Sequence, residues 1–244
     1  MSLRNAFAYL TFVRVPPRAR APLTRSLNYF PWFAAAFGSI NVLGFLAASA
    51  VTPFPIACFV AVLLPEALAG FAPARGTVES VLGIRTFPGH GFAPGFRGEP
   101  RAYAIAGALL ALKWIALMLM PQDWRVRAAF VFPILGMCAR TFAFLLEARR
   151  PRSPARAGRR PFLARRVRAG FLSASLLFLA FLFPPLLALA VLAVAGAAAW
   201  LTLRPLRLHT DHPTGHLTLQ AAALTSEVTE AAMLLTIAAA AFLR

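Results

Sequence analysis

Two glutamates at helical spacing stand in a stretch of the chain whose other residues suit a lipid environment. The segment LTSEVTEAAMLL, residues 224–235, carries Glu227 and Glu230 one helical turn apart, with no lysine or arginine within ten residues on either side. A charged side chain at membrane depth costs about 2.5–3.5 kcal/mol on insertion scales, so it is retained where something offsets that cost. We expect either a polar cavity in which carboxylates hold a metal ion, a proton or a cationic substrate, or an ion pair with Arg140 or Lys113 that fixes helix packing.

The other carboxylates of the chain concentrate towards one side of the membrane. Glu66 lies near the inner end of the second apolar run, and Glu79 and Glu99 lie in the loop that follows. Asp211 lies in a later inner loop, whereas Asp123 alone must face the other side. We therefore expect the acidic residues to converge on the cytoplasmic half of the bilayer.

Three of the four histidines lie in the segment LHTDHPTGH. His209, His212 and His216, together with Asp211, have spacings short enough to supply metal ligands. No helical frame fixes the geometry of these side chains, and Pro213 interrupts the segment. This favours a solvated loop at the entrance of the last helix over a metal site.

Apolar runs must position all of these residues. The chain has 244 residues, is 59% hydrophobic and only 14% charged, and has a mean hydropathy of +0.69, whereas a soluble domain needs more charge on its surface. Runs of about 17–25 apolar residues have the length of a helix that crosses a bilayer. The seven predicted spans, of which the fifth is short, are Tyr29–Val51, Phe54–Phe71, Ala102–Met120, Ala128–Glu147, Phe171–Phe183, Leu186–Leu203 and Leu219–Leu243. We predict an all-α fold, a polytopic transmembrane helical bundle of about seven spans, with the fifth and sixth joined as a hairpin at Pro184-Pro185.

The net charge of +17 is distributed unevenly between the loops. If the N-terminus is cytoplasmic, most of the 25 basic residues fall on the inner side of the membrane, which is the positive-inside pattern. The basic loops predict contact with the anionic headgroups of the lipid bilayer. We expect no nucleic-acid binding, because the basic residues carry no interleaved aromatic residues or RNA-binding motif.

The chain reads as one integral membrane domain over residues 1–244, without an internal repeat. Two cysteines, Cys58 and Cys138, lie in apolar spans without a spacing pattern, so we expect them to serve packing. The oligomeric state is left open, a homo-oligomer included. The predicted cytoplasmic loops cover about residues 73–101, 148–168 and 204–218.

Several segments, taken in order, resemble those of one enzyme family. FAYLTFVRVP at residues 7–16 is similar to the family's FLTRLP start, and RSLNYFPWFAAAFGSI at 25–40 to its aFFPlvG first span. GEPRAYAIAGALLALKW at 98–114 is similar to DSRIGxxGxxAL…K, and TSEVTEAAMLL at 225–235 to the closing NELTExxxLL. On these segments the chain resembles the adenosylcobinamide-GDP ribazoletransferase, or cobalamin synthase, family. The family's aspartate-rich HLDGLADTADG motif is replaced here by AGFAPARGTVESVLG, in which Glu79 is the one carboxylate.

The resemblance implies a transferase of the bacterial cytoplasmic (inner) membrane that acts in the last steps of cobalamin biosynthesis. Such an enzyme joins a corrinoid nucleotide, adenosylcobinamide-GDP, to α-ribazole or its phosphate, and it releases GMP with the help of Mg²⁺. The implied roles are catalysis and Mg²⁺ binding by Glu79 and Glu99, phosphate clamping by Arg101, and substrate binding by Arg140, Glu227 and Glu230.

Two further classes of function stay open. Loss of the aspartate motif favours a family-derived protein that binds or scaffolds without catalysis. Glu227 and Glu230 could instead carry protons in a small transporter, although the two halves of the chain lack the similarity that transporter repeats often have.

Overall fold

All regular structure in the described part of the chain is helical. The computed structural model describes residues 29–81, 100–147, 182–208 and 217–243. Their helices, in chain order, are α1 (Phe30–Val51), α2 (Phe54–Leu68), α3 (Ala72–Val81), α4 (Pro100–Leu119), α5 (Gln122–Glu147), α6 (Pro185–Leu208) and α7 (Leu217–Phe242). The all-α prediction is confirmed.

The length and exposure of these helices identify a membrane protein. Three segments are long and apolar enough to cross a bilayer, namely Trp32–Val51, Pro185–Thr202 and Ala222–Phe242, and two shorter helices, Phe54–Leu68 and Tyr103–Leu119, are also apolar. Large apolar side chains cover the outside of the bundle, among them Trp32, Trp200, Leu186 and Phe242. Exposure of such a large apolar surface is unfavourable for a monomeric protein in water, whereas contact of this surface with lipid tails is favourable. The chain is therefore an all-α membrane bundle.

Helix α7 forms the centre of this bundle. It packs against α3, α4, α5 and α6, while α1 packs on α2 and α5. In an 18-residue stretch within Ala222–Phe242, 67% of the residues are buried inside the protein, compared with 28% in the corresponding stretches of the two other long apolar segments. The buried polar residues of α7, Glu227 and Glu230 among them, are therefore surrounded by protein and not by lipid.

A proline in α5 fixes the crossing of α1 and α5. Pro133 has no N–H, so the carbonyl of Ala129 one turn earlier lacks its usual helical donor. Asn41 of α1 supplies the missing donor, with its Nδ2 lying 2.8 Å from the Ala129 oxygen. Close approach at this crossing requires Gly38, because a Cβ atom there would lie 2.5 Å from the carbonyl oxygen of Phe130.

Helix α3 occupies the first part of the segment that the sequence predicted as a loop over 73–101. The turn before it has Gly70 at φ 63° and Phe71 at φ 55°, and the Phe71 N–H donates to the Glu66 carbonyl at 2.7 Å. Pro73 lies in the first turn of the helix, where proline is tolerated. The second predicted span accordingly ends as a helix at Leu68, and the chain turns back against α7.

Other predicted boundaries shift by smaller amounts. Helix α6 runs on to Leu208, so it includes the start of the segment predicted as a loop over 204–218. The predicted fifth span, Phe171–Phe183, lies outside the described residues except for its last two. The loop predicted over 148–168 and the N-terminal segment, which was predicted to be cytoplasmic, lie entirely outside the described residues. The count of seven spans therefore stays a prediction.

Candidate functional site: a buried charge cluster

The sole lysine of the chain lies between three glutamates inside the bundle. Lys113 of α4 is fully buried, and its Nζ lies 2.7 Å from Oε2 of Glu227 and 2.6 Å from Oε2 of Glu230. Oε1 of Glu66, at the end of α2, lies 3.9 Å from the same nitrogen. These side chains come from three helices, and Lys113 and Glu230 alone are 117 residues apart in the sequence.

Glu227 and Glu230 are positioned by the helix that carries them, whereas Glu66 is positioned by the helix that follows it. Glu227 and Glu230 are three residues apart on α7, so they share one face of that helix. Glu66 is held by α3, because the backbone N–H of Ala74 donates to Glu66 Oε2 at 3.2 Å. A carboxylate next to the free N–H groups at a helix N-terminus is favourably placed. The turn between α2 and α3 thus orients Glu66 towards Lys113.

Helix α5 brings a second cation to the same place. Arg140 Nη2 lies 3.4 Å from Oγ of Ser226, and that hydroxyl donates to Glu230 Oε1 at 3.1 Å. One turn before Arg140 stands Gly136, where a Cβ atom would overlap the Glu230 carboxylate. The glycine therefore makes room for Glu230. We call Glu66, Lys113, Arg140, Ser226, Glu227 and Glu230 the charge cluster.

Burial makes the charge cluster electrostatically strong. All five ionisable side chains are more than nine-tenths buried, with Arg140 the most exposed at 9%. Two of their polar atoms, Glu227 Oε1 and Arg140 Nε, have no hydrogen-bond partner in the described residues. Coulomb attraction is much stronger here than at a wet surface, and any single charge left without a partner is correspondingly costly.

Three of the residues predicted for the site meet in the charge cluster. Glu227 and Glu230 lie together as expected, and Arg140 reaches them through Ser226. The direct partner of both carboxylates is Lys113, so the structure contains the ion pairs expected from the packing alternative.

The other predicted site residues lie elsewhere or beyond the described part. Arg101 is exposed in the first turn of α4, about 18 Å from Lys113 along the helix at 1.5 Å per residue. Glu79 lies on α3, but its side chain is not among those described, and Glu99 falls outside the described residues. The segment with His209, Asp211, His212 and His216 also lies outside them.

Three members of the charge cluster, Lys113, Glu66 and Ser226, were not among the residues predicted to bind substrate or metal. Lys113 is the only lysine of the chain and stands within an apolar helix, which is itself a signal of a buried counter-charge. Glu66 had a weaker signal, because a carboxylate near the end of a span can reach water. Its burial follows from α3, which covers it.

The described carboxylates do not fit a divalent metal ion as they stand. One oxygen from each of Glu66, Glu227 and Glu230 lies within 4.8 Å of the others, which would suit a shared cation. The ammonium of Lys113 already lies between them, in contact with two of the three. Mg²⁺ requires oxygen ligands at about 2.1 Å in an octahedron, so it could bind here only after that ammonium had been displaced.

Comparisons with protein-family models, with curated proteins and with solved structures find no significant match to this chain.

Proposed function

We propose that the protein is a membrane transferase of the cobalamin synthase type, located in the cytoplasmic membrane of a bacterium. It would join adenosylcobinamide-GDP to α-ribazole, or to its phosphate, and release GMP. The observation that carries the proposal is the contact of Lys113 with Glu227 and Glu230. Lys113 comes from the segment similar to the family's DSRIG…K motif, and the glutamates come from the segment similar to NELTE. Two segments matched separately in sequence thus meet through their charged residues.

Two parts of the molecule would have different roles in this reaction. The charge cluster is closed off by protein and holds α2, α4, α5 and α7 together, so it would support the site without touching substrate. Arg101 is exposed at the start of α4, where its guanidinium could bind a pyrophosphate through two parallel hydrogen bonds. Glu79 and Glu99 keep the metal and base roles implied by the resemblance. Mg²⁺, when bound, would neutralise negative charge on the phosphates.

The experiment compares two exposed arginines in protein reconstituted in lipid. Wild-type protein is given adenosylcobinamide-GDP, α-ribazole and Mg²⁺, and the release of GMP and the corrinoid product are followed. Arg101→Gln removes a charged contact worth about 1.5–3 kcal/mol, so kcat/KM should fall roughly 10-fold to 150-fold. Arg127→Gln, an exposed arginine of α5, is the matched control and should leave turnover unchanged. Absence of turnover in the wild type, with a positive control active in the same lipid, would contradict the proposal.

The missing aspartate motif favours an alternative function, in which the protein binds the corrinoid nucleotide but does not catalyse its transfer. It predicts that the corrinoid nucleotide binds to the wild-type protein and that no GMP appears. If wild type and Arg101→Gln bind the corrinoid nucleotide equally well, Arg101 does not contact its phosphates.

Proton-coupled transport is the second candidate, and the excess of buried carboxylates over buried cations favours it. Three glutamates face one lysine and one arginine in the charge cluster. Uptake into proteoliposomes that is driven by a pH gradient, and lost in Glu227→Gln, would support transport over transfer.

A further inference from the structure

The formal charges of the charge cluster do not balance. Glu66, Glu227 and Glu230 contribute three negative charges when ionised, whereas Lys113 and Arg140 contribute two positive charges. All five side chains are buried, and α2, α4, α5 and α7 separate them from lipid and water. A net negative charge in such surroundings is costly, so one further positive charge is needed.

The distances to Lys113 single out one carboxyl group. The ammonium makes close contacts with Glu227 and Glu230, at 2.7 and 2.6 Å. It lies 3.9 Å from Glu66, which is beyond hydrogen-bonding distance. Arg140 is linked through Ser226 to Glu230 and not to Glu66. Glu66 is therefore the carboxyl group that the two cations compensate least.

One carboxylate oxygen of Glu227 has no hydrogen-bond donor among the described residues. This oxygen, Oε1, is buried, while Oε2 contacts Lys113. One oxygen of Glu66 and one oxygen of Glu227 lie within 4.8 Å of each other. Two ionised carboxylates would repel at this distance, whereas one proton between them forms a charge-assisted O–H···O⁻ hydrogen bond.

We infer that the charge cluster is a proton-binding site, in which Glu66 carries one exchangeable proton and donates it to Glu227. The groups that face this proton are Glu66 itself from α2, Lys113 from α4, Arg140 from α5, and Glu227 and Glu230 from α7. Ala74 of α3 adds a backbone N–H to the other oxygen of Glu66. A sodium ion fits less well, because the Lys113 ammonium occupies the space between the oxygens. Proton binding at Glu66 does not depend on the proposed transferase activity.

Infrared spectroscopy detects such a proton directly. Protein in an ester-free detergent at neutral pH should have a carbonyl stretch from a protonated carboxyl group, which moves on transfer to D₂O and on ¹³C labelling of glutamate. Glu66→Gln should remove this band, and Asp123→Asn, at an exposed carboxylate of α5, should leave it unchanged. Failure to find the band in the wild type would overturn the inference, as would its persistence in Glu66→Gln.

Two further measurements test whether Glu66 is a hydrogen-bond donor and whether the bound cation is a proton or a sodium ion. Glutamine can donate an N–H to Glu227 as a protonated Glu66 would, so Glu66→Gln should melt close to wild type, whereas Glu66→Leu should melt lower. Equal melting of these two variants would contradict a donor role for Glu66. Replacing choline chloride by sodium chloride at constant pH should leave the wild-type band unchanged. A loss of the band in sodium would identify a sodium site instead and overturn the assignment of the proton.

Discussion

Removal of the Lys113 ammonium is the sharpest perturbation of the charge cluster. Lys113→Met keeps the length and apolar stem of the side chain but leaves the three carboxyl groups of the cluster without their nearest cation. Oxygens of the three groups lie within 4.8 Å of one another. At that separation and an effective dielectric constant of about 20, each ionised pair repels by roughly 3.5 kcal/mol. Proton uptake would relieve part of this repulsion.

The expected loss of stability can be estimated from the measured cost of breaking buried ion pairs in other proteins. Removing one partner of such a pair costs about 3–5 kcal/mol. For a chain of this length, each kcal/mol corresponds to a change of about 2–4 °C in the melting temperature, on the scale of soluble domains. Lys113→Met should therefore lower the melting temperature by about 6–20 °C on the same scale.

The chain carries its own reporters for this measurement. Cys58 is buried and Cys138 is half-buried, and neither thiol is in a disulfide bond. A fluorogenic thiol reagent added to detergent-purified protein will therefore report the temperature at which the bundle opens. Arg101→Met is the matched control, because it removes an exposed cation from the same helix and should melt with the wild type. Equal melting of Lys113→Met and Arg101→Met would refute the view that Lys113 holds the three glutamates.

Three further substitutions test individual positions on α5, α4 and α1. Gly136→Ala should lower the melting temperature, because the new methyl group would overlap the Glu230 carboxylate. Gly107→Ala, which meets no atom within 4 Å, should instead raise it, since alanine is favoured in a helix by about 0.5–1 kcal/mol. Asn41→Ala should destabilise the bundle by about 0.6–1.7 kcal/mol, because the Ala129 carbonyl loses its donor inside the membrane. Thermal unfolding of the purified variants checks all three changes.

A double-mutant cycle tests whether Asn41 compensates for the proline in α5. Pro133→Ala restores an N–H that can bond the Ala129 carbonyl within α5. In that background Asn41→Ala should cost less than it does alone. Additive effects of the two changes would mean that Asn41 does not compensate for the proline. For Gly136, a rise in stability equal to that of Gly107→Ala would contradict the close contact with Glu230.

Hydropathy predicted most helices well because apolar length is a local property of the sequence. The predicted span Tyr29–Val51 and helix α1 differ by a single residue at the start. Helix α5 begins six residues before the predicted Ala128, because the polar residues from Gln122 onwards continue the helix outside the apolar run. Local composition was misleading for α3. Its proline and glycine predicted a loop, whereas packing on α7 and the bond from Ala74 to Glu66 support a helix.

Part of the charge cluster was also predictable, because helical spacing is a local property of the sequence. Glu227 and Glu230 share a face of any helix that contains them, so their association follows from spacing alone. The choice between Lys113 and Arg140 as their direct partner depends on how α4, α5 and α7 are rotated against each other. No local pattern encodes that rotation. The inclusion of Glu66 depends in turn on the left-handed turn at Gly70 and Phe71.

The most direct test of the charge cluster uses the single lysine of the chain. Protein labelled with ¹⁵N-lysine and ¹³C-glutamate and reconstituted in lipid bilayers gives one side-chain ammonium signal in solid-state NMR, that of Lys113. Dipolar recoupling should detect glutamate carboxyl carbons in direct contact with this nitrogen, as its distances of 2.6 and 2.7 Å to two carboxylate oxygens require. The contact should weaken in Glu227→Gln and in Glu230→Gln. A Lys113 ammonium with no carboxyl carbon in close contact would contradict the account.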